Sequence, residues 1–343
     1  MKKINKLKVS ICIPIYNGSQ TLKKTLLSLF KQKVNFEYEI IFGDDNPPGL
    51  IHEINITKRI IDSFNKKVIY YKNSKNIGSA LNIRKLSQTA RNDIIFFLCQ
   101  DDILSKDALQ KTYDAFLLDN KVGVVTRPYF WFINKINKPI RAVTPYDVNH
   151  TSILSLTNNK RAFVKIFESI GQLSGLAFKK KTIDIPFGNE CFTGHIYPFA
   201  SILKKYKCVY LKNYTVAVKL ADSQSRNVSS IYDISPVASW INMFNNVYSE
   251  NKYHQFKEWG IEQATTNFVG LVQIKNYAKK GLFKREIGIL LRSRWKNIFE
   301  PKFWFYSALC YILPKKWLIL LSDKYKIFIN AKKLPKINFE SYK

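Results

Sequence analysis

The chain has 343 residues and carries 55 Lys and Arg against 25 Asp and Glu, a formal net charge of +30. Hydrophobic residues make up 46% and aromatic residues 14% of the sequence, enough for a packed core, which excludes a disordered or fibrous chain. The five cysteines form no Cys-x-x-Cys pair, so neither a disulfide framework nor a structural zinc site is expected, and a reducing compartment is the default.

The first 120 residues alternate between strand-like and helix-like segments. Apolar runs at 8–14, 38–43, 67–71 and 93–99 predict four buried strands, and the leucines and isoleucines between them recur at helical spacing. This alternation predicts an α/β fold: a Rossmann-like, mostly parallel twisted sheet flanked by helices. A ligand is expected at the carboxyl ends of its strands.

The rest of the chain is less regular. Strands are predicted at 122–125, 176–178 and 208–211, with a helix near 195–206, and the polar stretch 144–165 predicts a mobile loop over a site. From about residue 231 the pattern is helical and basic. We therefore expect one domain over 1–230, with halves 1–120 and 121–230, followed by a basic helical region over 231–343.

Polar clusters follow the four predicted strands, at 14–17, 44–46, 76–79 and 100–102. Because the carboxyl ends of parallel strands meet at one sheet edge, these clusters are expected to lie together. Asp101 and Asp102 after an apolar strand are typical of a site for Mg²⁺ or Mn²⁺, which takes one or two carboxylates and completes its shell with phosphate oxygens. One Asp-Asp pair alone is equally well a turn or a helix cap, but four clusters in register favour a ligand site.

Three segments resemble the nucleotide-binding half of the family 2 glycosyltransferases: VSICIPIYNGSQTLKKTLLSLFKQ, YEIIFGDDNPPG and NIGSALNIRKLSQTARNDIIFFLCQDDIL. The resemblance covers about residues 8–225 and is most specific over 8–110. It implies the GT-A fold, a nucleotide-diphosphate sugar donor, a divalent metal (Mg or Mn) and inversion of the anomeric centre.

The resemblance also assigns roles to residues of the first half. It places Pro14, Tyr16 and Asn17 in the base pocket, Asp44 or Asp45 as acceptor for a base N–H, and Asn76, Gly78 and Arg84 at the base and phosphates. Asp101 and Asp102 match the metal-binding element, with Asp102 the expected direct ligand. Gln100 replaces the usual first carboxylate, which weakens the expected metal affinity.

The second half departs from the family where a Glu-Asp pair normally supplies the general base. Gly194 and His195 stand at that place, and His195 is the first candidate because an unperturbed imidazole, with a pKa near 6.5, suits a base at neutral pH. Glu190 is the second candidate, and a purely structural His195 is the alternative. Segments 171–178 and 195–198 resemble a branch from surface-polysaccharide clusters that includes abequosyltransferase-like proteins.

The segment 219–226 follows an apolar strand and resembles the family's loop over the diphosphate. Lys219 or Arg226 would neutralise the departing nucleotide there, and the alternative is a solvated loop rich in Ser and Lys.

The last 69 residues are basic and aromatic, with 17 Lys and Arg against 4 Asp and Glu from Lys275 to Lys343. Their longest uncharged apolar run, 303–313, has 11 residues, whereas a membrane-spanning helix needs about 20. Trp304 and Trp317 beside lysines favour a helix lying on an anionic membrane, and the alternative is an amphipathic helix packed on the domain.

Taken together, these patterns predict an inverting, metal-dependent glycosyltransferase that acts on a glycan acceptor, expected to be lipid-linked, in bacterial capsule, lipopolysaccharide or other surface-polysaccharide synthesis. The expected location is cytoplasmic, peripheral on the inner face of the cytoplasmic membrane, because the N-terminal apolar run is too short for a secretory signal. A catalytically inactive nucleotide-sugar-binding scaffold is the first alternative. A nucleic-acid-binding protein is disfavoured because the charge is spread over the chain without a binding motif, so no nucleic-acid partner is expected.

Overall fold

The computed structural model describes residues 6–221 and 223–342, apart from the side chain of Gln224. The chain packs as two compact units. The first contains the described parts of 1–132, 142–219 and 336–343, and the second contains those of 133–141 and 220–335. The units change over at Lys219, while the domain division expected at residue 230 stays a prediction.

The first unit is built on an eight-stranded sheet. Its strands are β1 (Val9–Ile15), β2 (Tyr38–Asp44), β3 (Ile69–Lys72), β4 (Ile94–Phe97), β6 (Val122–Thr126), β9 (Ser152–Leu154), β10 (Ala177–Lys179) and β11 (Lys207–Tyr210). They lie in the order β3-β2-β1-β4-β10-β6-β11-β9. The helices of this unit are α1 (Ser19–Phe30), α2 (Ile51–Asp62), α3 (Ser79–Thr89), α4 (Ala108–Leu117), α5 (Lys160–Ser169) and α6 (Ile196–Ile202).

The amino-terminal half of the sheet is parallel. Strand β1 pairs in parallel with β2 and β4, and β2 pairs in parallel with β3. Strand β1 is buried nearly throughout because helices cover both faces of the sheet, which is why its sequence is a continuous apolar run. Strand β10 is antiparallel to both neighbours. The predicted α/β fold with a mostly parallel sheet is confirmed.

A second, four-stranded sheet has the order β5-β12-β7-β8, formed by β5 (Ile103–Leu104), β7 (Tyr129–Phe132), β8 (Arg141–Val143) and β12 (Val216–Lys219). Strand β12 pairs in antiparallel fashion with β5, which begins directly after Asp102. The carboxyl end of β12 therefore lies beside the acidic pair that follows β4.

The polar stretch 144–165, predicted as a loop, contains regular structure. It holds β9, which pairs antiparallel with β11 at the sheet edge, and the first turns of α5. The Asn159 side chain caps α5 by accepting a hydrogen bond from the Ala162 amide at 2.8 Å. Capping and edge positions favour polar residues, so polarity alone gave the wrong structure here.

The second unit is helical. Its helices are α7 (Gln224–Asn227), α8 (Pro236–Val247), α9 (His254–Thr265), α10 (Val269–Tyr277), α11 (Leu282–Ser293), α12 (Pro301–Ile312) and α13 (Lys315–Lys324), and a π-helical segment (Tyr325–Asn330) follows. The predicted helical carboxyl-terminal extension is thus present. Among the residues that the structure describes, no helix combines the length and apolarity that crossing a bilayer would need.

Candidate active site

The ends of β1, β2 and β4 are joined by side-chain hydrogen bonds. Gln100, after β4, accepts from the Tyr16 amide at 2.9 Å and donates from Nε2 to the Tyr16 carbonyl at 2.6 Å. Asn46, after β2, accepts from the Asn17 amide at 2.7 Å. Gln100, which stands where the family has a carboxylate, therefore holds the segment 16–17 against the end of β4.

Asp45 joins the third cluster to the same edge. Its buried carboxylate accepts from the amides of Ile77 and Gly78, each at 2.9 Å, and from Asn73 Nδ2 at 2.9 Å. Gly78 has φ +86°, a conformation that glycine adopts without strain, and stands directly before α3. The clusters after all four predicted strands therefore lie together, as the topology predicted.

Asp44 is also buried and held by protein donors. Its carboxylate accepts from the Asn46 amide at 2.9 Å, from Asn46 Nδ2 at 2.8 Å and from the Tyr70 hydroxyl. Burial and the hydrogen bond to Asp44 raise the pKa of Tyr70. In this arrangement Asp44 and Asp45 both shape the loops, and a contact of either with a nucleotide base stays a prediction.

The solvent-facing part of this edge is formed by other predicted residues. Tyr16 is 37% exposed, Asn17 and Asn76 are exposed, and Pro14 is half-buried. Asn17 has φ +49°, a left-handed conformation that asparagine tolerates better than most residues. These side chains line the surface that a ligand at the strand ends would meet.

A loop from the second half of the unit lies across the start of α3. Asn189 accepts from Arg84 Nη1 at 3.0 Å, and Cys191 Sγ lies 3.5 Å from Ser79 Oγ. The predicted phosphate-contacting Arg84 thus connects α3 to segment 189–191. Glu190 lies between those two contact residues, is half-buried, and accepts from Thr193 Oγ1 at 3.1 Å.

Asp102 is fully buried. Oδ2 accepts from Ser174 Oγ at 2.5 Å and from Gln172 Nε2 at 2.7 Å, and Oδ1 accepts from the Lys219 amide at 3.2 Å. Burial raises the pKa of Asp102 to about 6, although the hydrogen bonds oppose this shift. Asp102 is therefore ionised at neutral pH, and its charge faces the protein interior.

Arg127 is a buried neighbour of Asp102 that the sequence analysis did not single out. It is fully buried after β6 and donates to the carbonyls of Ser169 at 3.0 Å, of Gln172 at 2.8 Å and of Ser174. Burial lowers the pKa of Arg127 to about 10, and the Asp102 charge acts in the opposite direction. Its only sequence signal is a lone arginine directly after an apolar strand.

The donors present fit a divalent cation only in part. Asp102 is inaccessible, and both its oxygens are engaged by protein donors, so it does not suit the role of direct ligand assigned to it above. Asp101 is half-buried and is the carboxylate of the pair that a cation would reach. Within the described ranges, no group of three or more His, Cys, Asp or Glu side chains is placed to hold a metal. The set therefore fits a cation with one protein carboxylate and phosphate oxygens as its remaining ligands.

His195 has a structural position. Its Nε2 lies 2.9 Å from the Ile170 carbonyl, so that nitrogen carries the proton, and the ring is buried. Burial lowers the pKa of His195 to about 4, so the ring is neutral at pH 7 and a poor proton acceptor. This environment counts against its predicted role as general base, which stays a prediction.

The two predicted cations after β12 lie in different units. Lys219, half-buried at the end of β12, is placed beside Asp102 by its own amide, as given above. Arg226 lies in the second unit, where it donates to Tyr277 Oη at 2.9 Å and to Asp323 Oδ2 at 2.7 Å. Asp222, within the same predicted loop, lies outside the described residues. Lys219 is therefore the one of the two that the first unit places at the strand ends.

Comparison with known proteins agrees with this architecture. Residues 10–178, just under half of the chain, match the family described as Glycosyl transferase family 2. In the solved structure of residues 1–349 of TarS from S. aureus, the same fold superposes with a TM-score of 0.60 at 14% identity, covering 95% of this chain and 89% of that chain.

Two curated relatives show where the sequence similarity lies. Abequosyltransferase RfbV of Salmonella typhimurium is 32% identical over 122 residues, which cover 33% of this chain and 36% of that protein. The minor teichoic acid biosynthesis protein GgaA of Bacillus subtilis is 30% identical over 130 residues, covering 36% of this chain and 28% of that protein. The chain thus spans well under half the length of these relatives.

Proposed function

We propose that the protein is an inverting glycosyltransferase that moves a sugar from a nucleotide-diphosphate donor to a hydroxyl group of a glycan. The observation that carries this proposal is the convergence of four strand ends, joined through Gln100, Asn46 and Asp45, within the segment that matches family 2. Such an edge is where α/β folds of this type bind ligands.

The donor is proposed to lie along the surface formed by Pro14, Tyr16, Asn17, Asn76, Gly78 and Arg84. Structures that share the fold support a nucleotide donor: TarS was solved with UDP and with UDP-GlcNAc, and a mannosyltransferase from Pyrobaculum calidifontis with GDP-Man and Mn²⁺. The nucleotide of this protein is accordingly proposed only as a nucleotide diphosphate, with UDP, dTDP, GDP and CDP as candidates.

A divalent cation, proposed to be Mg²⁺ or Mn²⁺, would be held by Asp101 and would supply positive charge at the departing diphosphate. Lys219 at the end of β12 adds a second positive charge on the same side. Asp102 does not contact the reacting atoms in this scheme. Together with Arg127 and Ser174, it positions the segment that carries Asp101.

The proposed reaction is a direct displacement. The acceptor oxygen forms a bond to the anomeric carbon, while the bond from that carbon to the diphosphate oxygen breaks and its electron pair leaves with the nucleotide. The acceptor proton passes to a carboxylate, for which we propose Glu190 in place of His195. Glu190 is half-buried and lies in the loop whose neighbours Asn189 and Cys191 contact Arg84 and Ser79.

The acceptor class is proposed from the relatives. RfbV is named an abequosyltransferase and GgaA a teichoic acid biosynthesis protein. We infer that this protein also extends a bacterial surface polysaccharide or teichoic-acid-like polymer. We further propose that its acceptor is carried on lipid at the inner face of the cytoplasmic membrane.

The assignment of the base is tested by release of nucleotide diphosphate from donor sugars with Mn²⁺, in which water replaces the acceptor. We expect Glu190→Gln to lower the turnover rate about 10²-fold or more without weakening donor binding, because only proton removal is lost. His195→Gln, which retains a donor for the Ile170 carbonyl, is expected to keep most of its activity. Glu168→Gln, at an exposed carboxylate on α5, is the matched control.

Two results would contradict this scheme. An active Glu190→Gln protein together with an inactive, folded His195→Gln protein would return the base to His195. No turnover of any UDP, dTDP, GDP or CDP sugar by the unaltered protein, despite tight donor binding, would favour the inactive scaffold.

A further inference from the structure

Helix α12 has an apolar face that points away from the protein. Its inward stripe is Phe303, Ser307 and Cys310, all buried. On the opposite side Trp304 is 50% exposed, Phe305 61%, Tyr311 71% and Ile312 74%. No charged residue lies between Phe303 and Leu313. The helix is therefore apolar on both sides although only one side is covered.

The exposed residues of α12 occupy one continuous face. At about 100° per residue, positions 304, 305, 308, 311 and 312 fall within an arc of about 120°. Ala308, the remaining member, is also exposed. A surface helix of a globular protein normally carries polar residues on this arc, so the pattern indicates a partner that covers it.

Neighbouring segments extend the same character. The Trp304 indole donates to the Ile298 carbonyl at 2.7 Å, and Trp295 and Phe299 stack edge to face with ring centroids 5.8 Å apart. The side chains of Trp295, Ile298 and Phe299, which precede α12, are also exposed. The same holds for Trp317, Leu320 and Leu321 on α13. Both α12 and α13 pack on α10. We call the exposed apolar residues of 295–321 the aromatic face.

Positive charge surrounds the aromatic face. Lys296, Lys302, Lys315, Lys316 and Lys324 are all exposed in or beside it. The two acidic residues between positions 295 and 324 are paired within the second unit, Glu300 with Arg294 at 3.3 Å and Asp323 with Arg226 at 2.7 Å. The aromatic face therefore has a net positive rim.

We propose that the aromatic face docks on an anionic lipid bilayer, with its rings at headgroup depth and the lysines of its rim on acidic lipids. A second copy of the chain is a poorer occupant, because it would oppose one lysine-rich rim to another. This inference does not rest on the catalytic scheme. It extends the proposed function by supplying the surface that would bring the protein to a lipid-linked acceptor.

The proposal is tested by co-sedimentation of the full chain with vesicles. We expect binding to equimolar phosphatidylglycerol and phosphatidylcholine, and little binding to phosphatidylcholine alone, because both burial of the rings and charge attraction are needed. Adding salt should release the protein, since it screens the lysines.

Three variants separate the contributions. Trp304→Ser/Phe305→Ser should weaken vesicle binding about tenfold or more, because it removes two apolar anchors. Lys315→Gln/Lys316→Gln should weaken it to a similar extent on anionic vesicles only, since each lysine near such a surface contributes about 1 kcal/mol. Leu117→Ser/Leu118→Ser, at the exposed last residue of α4 and the exposed residue after it, is the matched control and should bind as the unaltered protein does.

Either of two results would overturn the proposal. One is failure of the unaltered protein to bind anionic vesicles. The other is a concentration-dependent dimer, in solution without lipid, that Trp304→Ser/Phe305→Ser converts to monomer, since the aromatic face would then be covered by a second copy. Donor turnover measured without vesicles is expected to be equal in all these variants, so the outcome is independent of the proposed catalytic function.

Discussion

At the residue scale, Asp102 and Arg127 are two fully buried charged side chains of the first unit that bind the same segment. Arg127 binds the carbonyls of Gln172 and Ser174, while the side chains of the same two residues bind Asp102. The segment 172–174 is therefore held from both sides. When two opposite charges are both removed from water, loss of either one is costly, because the other is left uncompensated.

Replacing only one of Arg127 and Asp102 should therefore destabilise the protein by more than half of the effect of replacing both. We expect Arg127→Met to lower the free energy of unfolding by about 3–5 kcal/mol, and Asp102→Asn to lower it by less. The double variant Arg127→Met/Asp102→Asn should lose less free energy of unfolding than the two single variants lose together, because no unpaired charge remains in it. Urea unfolding of the four proteins measures this coupling.

A surface pair serves as the control for that cycle. Lys8 and Glu37 are 2.6 Å apart with exposed side chains, and Lys8→Met should cost about 1 kcal/mol or less. Strict additivity of the Arg127 and Asp102 substitutions would show that the two residues are not coupled through segment 172–174.

The predicted roles of two residues depend on packing that the sequence does not show. The roles of His195 and Asp102 depend on what packs around them: the Ile170 carbonyl in one case, and Gln172 and Ser174 in the other. Those contacts join residues 25 to 72 positions apart, so periodicity does not reveal them. Tyr16, Asn17 and Asn76, in contrast, follow directly from strand ends, and the sequence placed them at the edge where they lie.

At the element scale, the approach of α1 to β4 depends on a glycine. A Cβ at Gly18 would lie 2.1 Å from Gln100 Oε1, the atom that accepts from the Tyr16 amide. The end of the Gln100 side chain would have to move, which is expected to break its hydrogen bonds to Tyr16. Gly18 therefore allows the ends of β1 and β4 to join.

We expect Gly18→Ala to weaken nucleotide-diphosphate binding about tenfold, because losing two hydrogen bonds releases segment 16–17 from its bound position. Titration calorimetry with the preferred nucleotide measures the change. Gly49→Ala is the matched control, since nothing lies within 4 Å of a Cβ there and its affinity should stay unchanged. Equal affinity of Gly18→Ala and the unaltered protein would mean that the Gln100–Tyr16 pairing is dispensable.

Elements of the first 120 residues were predictable because their strands are apolar runs bounded by turn residues. The second sheet was not predicted as a sheet, because β5, β8 and β12 have only 2, 3 and 4 residues and show no clear alternation. Strand β9 was missed for the same reason. Short strands are specified by their partners more than by their own pattern.

At the scale of the whole molecule, the family match and the exposed tryptophans lie in different parts of the chain. The family match covers 10–178, which lies in the first unit except for residues 133–141, whereas the exposed tryptophans 295, 304 and 317 all lie in the second. Composition revealed the basic, aromatic character of the carboxyl-terminal region. It did not reveal that the aromatic side chains of α12 are exposed, because the sequence of an apolar helix does not show whether its outer side is covered.

The central claim is that residues from separate strand ends form one surface for a nucleotide diphosphate. It is tested most directly by thermal unfolding with UDP, dTDP, GDP and CDP sugars and Mn²⁺, since a ligand that binds only the folded state raises the melting temperature. We expect at least one donor to stabilise the unaltered protein, and Tyr16→Ala and Asn76→Ala each to lose most of that shift. Tyr38→Ala, at the opposite end of β2, should keep it. No stabilisation by any donor, or an equal loss in Tyr38→Ala, would contradict the account.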